Sequence, residues 1–79
     1  MKITKINTVY NLIKTSYAAG VSASNTAKLV KHTTDDWEPS EVLDYVSFVS
    51  IEAKNWWGEK EHKFVKRVLA SLENLYQNQ

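Results

Sequence analysis

The chain contains no cysteine. Disulfides therefore add nothing to its stability, and thiolate metal sites are excluded. Its two glycines, Gly20 and Gly58, lie far apart, so no glycine-rich phosphate loop can be built. Proline occurs once, at Pro39, and arginine once, at Arg67. No run of eighteen apolar residues is present, which argues against a membrane span. The opening stretch MKITKINTVYNL has lysines but lacks the uninterrupted apolar segment of a secretory signal. Scarce proline and glycine beside 43% hydrophobic residues also argue against disorder. These deficits lead to the expectation of one cytoplasmic domain over residues 1–79, with a folding margin of ~5 kcal/mol.

The formal net charge of +1 hides a segregation. Residues 1–32 carry Lys2, Lys5, Lys14, Lys28 and Lys31 and no acid. Residues 33–58 carry Asp35, Asp36, Glu38, Glu41, Asp44 and Glu52 against Lys54 alone. A basic start and an acidic middle can mean a nucleic-acid face, or two regions that neutralise each other within one molecule or between copies. Dispersed lysines without arginine make a thin phosphate-binding patch, which favours mutual neutralisation.

The stretch PSEVLDYVSFVSIEAKNWW, from Pro39 to Trp57, organises the rest. At 100° per residue, Val42, Tyr45, Val46, Val49, Ala53, Trp56 and Trp57 fall on one face, enough to nucleate a core. Phe48 and Ile51 fall on the other side, near Asp44, Ser47, Lys54 and Asn55. A helix that is apolar on two sides is either sandwiched within its fold or offers its second side to a partner. The segment 42–51 is rich in strand-forming residues, but alternation fails at Asp44 and Ser50, and the helical period runs longer.

Around it the spacing predicts an all-α, compact bundle of about four helices, near 4–19, 23–31, 38–57 and 59–76. The first presents Ile6, Val9, Tyr10, Ile13 and Tyr17 on one side, with Ile3 just before, and Gly20 is well placed past its end. Ser22 or Ser24 can cap the second, whose inward residues are Ala23, Thr26, Ala27 and Val30, with Leu29 at the flank. Asp35 or Asp36 can cap the third, while Trp37 can staple back onto it or stand out as an anchor. Gly58 ends the third helix or lies inside a longer one. The fourth has the cleanest apolar face, Phe64, Val65, Val68, Leu69, Leu72, Leu75 and Tyr76, with Lys60, Lys63, Arg67 and Asn74 opposite.

One stretch carries a resemblance. In TSYAAGVSASNTAKLV, from Thr15 to Val30, Gly20 is followed by Val21 and Ser22, small Ser16 lies four residues before it, and Leu29 lies nine after. This resembles the helix-turn-helix of bacterial repressors, with Leu29 as the anchor of its second helix. The resemblance implies that Ala23, Ser24, Asn25, Lys28, Lys31 and His32 lie toward a DNA major groove. Thr26 stands where valine or isoleucine is usual, and Thr15 where an apolar residue is usual.

Catalytic patterns are lacking. Glu59-x-x-His62 is half of a di-iron carboxylate motif with no second half, and His32 with Asp35 and Asp36 makes at best a loose ion site. Both histidines read as ordinary surface residues. No serine lies in a nucleophile elbow. Trp37, Trp56, Trp57 and Tyr45 could stack bases or a nucleotide, but closing the end of the bundle is the favoured role for the adjacent tryptophans. No enzyme activity, metal or cofactor is therefore expected. The leading expectation is a small regulatory or inhibitory protein that binds a protein partner or a second copy of itself. Its interface would be Asp44, Phe48, Ile51, Glu52 and Asn55. The alternative is a helix-turn-helix DNA-binding regulator using residues 15–32. The small size and lack of cysteine also suit a regulator carried by a phage or mobile element.

Overall fold

The computed structural model describes residues 2–78. Four helices, α1 (Ile3–Ala18), α2 (Ala23–Thr33), α3 (Pro39–Trp56) and α4 (Glu59–Gln77), pack together as an all-α bundle. No strand forms among the described residues. Around the bundle the order is α1, α3, α4, α2, so α2 and α3 stand diagonally and barely meet.

The joints follow from local chemistry. After α1, Gly20 takes φ +77°, the left-handed region that costs glycine little. The Gly20 amide donates to the Tyr17 carbonyl and the Val21 amide to the Ser16 carbonyl, a Schellman closure. Ser22 then caps α2, its hydroxyl oxygen accepting from the Asn25 amide at 3.2 Å. The second helix runs on through His32 and Thr33, two residues past its expected end, because Thr34 closes it. The Thr34 amide and hydroxyl both donate to the Val30 carbonyl. The expected cap of α3 by Asp35 or Asp36 is not made. Glu38 occupies the cap position without a side-chain bond, and Pro39 supplies a preset first turn. Trp37 does staple back: its ring meets Tyr45 at 5.7 Å, and the Lys5 ammonium lies 4.6 Å from its centroid. Gly58 separates α3 from α4.

The core is formed from all four helices. Val9 and Ile13 of α1, Ala27 and Val30 of α2, and Phe64, Val65, Val68 and Leu72 of α4 surround Val42, Tyr45, Val46, Val49 and Ala53 of α3. Ile3 does not join them. It is 74% exposed, although the Lys2 amide beside it donates to the Tyr45 hydroxyl of α3 at 2.8 Å. Thr26 is fully buried, and its hydroxyl donates to the Ser22 carbonyl at 2.8 Å. Among the described residues no buried side-chain nitrogen or oxygen lacks a partner. No helix of the described chain is long and apolar enough to cross a membrane.

Candidate interaction surface

Two stripes run along α3, each with steps of four, three and four residues. The first is Val42, Val46, Val49 and Ala53, all wholly buried. The second is Asp44, Phe48, Ile51 and Asn55, shifted by two positions and so rotated by roughly 200°. This second stripe lies on the outside of the bundle. Asp44, Ile51 and Asn55 are exposed, and Phe48 and the neighbouring Glu52 are half-buried. Ile51 retains 67% of its surface, the most of any large apolar residue of α3. The five residues expected at an interface therefore share one continuous outer strip, uncovered by α1, α2 or α4.

An aromatic cluster borders the strip on its α1 side. Trp56 was expected on the buried face, yet it is 49% exposed. Adjacent residues on a helix point about 100° apart, and here one of the two tryptophans turns inward while the other stays at the surface. Trp57 takes the inward place, edge-on to Tyr10 and Tyr17 at 5.9 and 5.4 Å. Trp56 rests edge-on against Tyr10 at 5.7 Å and leans over Phe48 at 6.1 Å. Lys14 lies over the Tyr10 ring at 5.7 Å. Tyr10 and Trp56 thus adjoin the five residues expected at the interface, and the sequence signal for this is a pair of adjacent tryptophans flanking the inward stripe on either side.

Charge on the strip is acidic. The ion pair formed among the described residues joins Lys5 to Glu41, with both carboxylate oxygens 2.9 Å from the ammonium. Among the described residues Asp44 and Glu52 have no such partner.

The remaining candidates are dispersed. Trp37 precedes α3 and packs on the buried Tyr45, which lies about 17 Å along the axis before Trp56 at the end of the helix. They do not form one stacking platform. His62 is not an ordinary surface residue: it is half-buried, and its Nδ1–H donates to the Ser50 carbonyl at 2.6 Å, tying α4 to α3. Among the described residues no three His, Asp or Glu gather as metal ligands, so His32, Asp35 and Asp36 do not assemble into a site.

On α2, Ser24, Asn25, Lys28 and His32 are exposed, while Ala23 and Lys31 are half-buried. Lys31 lies 5.9 Å from the Tyr76 ring. Burial pushes the Tyr76 phenol above its ordinary value, and a hydrogen bond with the Thr34 side chain pulls the other way. Ser16 and Thr26 are buried. Leu29, expected to anchor the second helix of a helix-turn-helix, is instead 43% exposed. The inward face of α2 runs through Thr26, Ala27 and Val30, which turns Leu29 outward.

No protein family, curated protein or solved structure matches the chain.

Proposed function

We propose that the chain is a small, non-catalytic regulatory or inhibitory protein that acts by protein–protein contact through the outer strip of α3. The exposure of Ile51 beside Phe48 carries this reading, because the opposite stripe of the same helix already fills the core. A fold of this size gains nothing from a second apolar stripe left in water, whereas apolar anchors bordered by polar groups are the pattern of interface centres. Asp44, Glu52 and Asn55 supply that border. Phe48→Asp and Ile51→Asp should leave the helical circular dichroism intact while abolishing self-association or partner capture. Unchanged oligomeric mass together with unchanged partner binding in both variants would remove the reading.

The α1–α2 joint supports a second reading, DNA binding by residues 15–32. The Schellman closure at Gly20 and the capped start of α2 give the turn its shape, and Ser24, Asn25, Lys28 and His32 lie open on the second helix. Replacing Lys28 and Lys31 by alanine should then weaken binding to duplex DNA, with affinity falling as salt rises. Failure of the native chain to retain duplex DNA at low salt removes this alternative.

A further inference from the structure

We infer that the partner of the α3 strip is a second copy of the same strip, paired antiparallel about a two-fold axis that passes between Phe48 and Ile51. The inference rests on the contact role proposed above and identifies the occupant. Stripe residues spaced four, three and four form the seam along which two helices interlock. With the axis midway between Phe48 and Ile51, each Phe48 packs on the partner's Ile51, and each Asp44 lies opposite the partner's Asn55. The apolar pair thus occupies the centre of the seam. At each end a carboxylate, which only accepts, meets an amide that can donate, with Lys54 one residue away. A parallel pairing instead sets Asp44 against Asp44, like charge on like charge, and Asn55 against Asn55. One patch used twice is what a two-fold contact demands, and this patch complements itself in one direction only.

The axial span of the seam is about 17 Å, from eleven residues of rise. A seam this short covers less than the roughly 800 Å² per partner of a standard stable interface, so the dimer should dissociate on dilution. The diagonal placement of α2 and α3 sends the two α2 helices to opposite outer sides of such a dimer.

The absence of native cysteine makes orientation directly testable. Asp44→Cys and Asn55→Cys chains are prepared separately, mixed and oxidised. The mixed dimer retains one native Asp44–Asn55 pair and brings the two thiols together across the other. Cross-linking of the mixture, at least tenfold above that of either variant alone, is the expected result. Preferential linking of Asp44→Cys chains to each other overturns the antiparallel register. A monomeric mass for the native chain by sedimentation up to millimolar concentration overturns the second copy as occupant. If Phe48→Asp still abolishes capture of a cellular protein in that case, the contact role of the strip stands and only the homodimer fails.

A charge swap gives an independent measure. Asn55→Asp should weaken the dimer at least tenfold by opposing Asp44, and adding Asp44→Asn to the same chain should restore it. A dimer formed elsewhere shows neither the loss nor the restoration, and a parallel dimer is instead strengthened by Asp44→Asn alone, which removes its Asp44–Asp44 repulsion.

Discussion

Helices α3 and α4 are nearly equal in length, 18 and 19 residues, yet they use their apolar residues differently. In α4 every large apolar side chain turns inward. Phe64, Val65, Val68 and Leu72 are buried, Leu69, Leu75 and Tyr76 are half-buried, and the outer face is Lys60, Lys63, Lys66, Arg67 and Asn74. In α3 an equally complete inward stripe coexists with Ile51 and Trp56 in solvent and Phe48 half-covered. One apolar stripe per helix therefore suffices to hold this bundle. What α3 carries beyond it is surplus to folding, and the surplus is what calls for a functional account.

The largest test of this contrast pairs one residue from each set. Leu72→Ala empties a fully buried site and should cost about 2–5 kcal/mol, enough to unfold much of a domain with a margin near ~5 kcal/mol. Ile51→Ala removes a side chain already in water and should change stability by no more than about 0.5 kcal/mol. Urea unfolding followed by circular dichroism, at a concentration where the chain is monomeric, measures both. Equal losses would return Ile51 to the fold and erase the distinction between the helices.

Much of this was legible in advance because helical periodicity and burial obey the same geometry. The inward stripes of α3 and α4, the turn at Gly20 and the outward direction of Phe48 and Ile51 all follow from residue type and 100° steps. The misses arise where periodicity stops deciding. Ile3 precedes the stripe of α1, but its side chain turns to solvent while the turn around it is held to α3 through Lys2 and Lys5. Trp56 has the right angle for the core, yet Trp57 reaches Tyr10 and Tyr17 first. His62 looked like a water-facing residue because its partner is a backbone carbonyl, which no side-chain pattern reveals. Asp35 and Asp36 are sound capping residues, but the chain still needs the turn through Trp37 before α3 begins.

A smaller test concerns what joins the two helices. The His62 imidazole bonds to the Ser50 carbonyl on the flank of α3 that faces α4, not on the outer strip. His62→Leu should cost about 1 kcal/mol, the ordinary value of one such bond. It should leave the self-association measured at equal folded fraction unchanged. Loss of association in this variant at full folding would mean that the outer strip depends on the α3–α4 joint, and the two flanks of α3 could no longer be treated separately.

The smallest effect is expected at the end of α4, where its apolar stripe finishes in a phenol. Burial raises the Tyr76 pKa in the folded chain above the value near 10 that it has when unfolded. The folded state therefore holds this proton more tightly than the unfolded state. Its contribution to stability is complete below pH ~10 and declines as pH rises past that point toward the higher folded value. Other tyrosines and the lysines titrate in the same range, so the native chain must be read against Tyr76→Phe. Below pH 9 the stability difference between the two should be flat, set by the lost contact to Thr34. Above pH ~10 it should move steadily in favour of Tyr76→Phe, since only the native chain must then bury a phenolate or release it to water. A difference that stays flat to pH 11 would mean that the ring spends its time in solvent. The last turn of α4 would then resemble the outer strip of α3, and the contrast between the helices would hold only as far as Leu72.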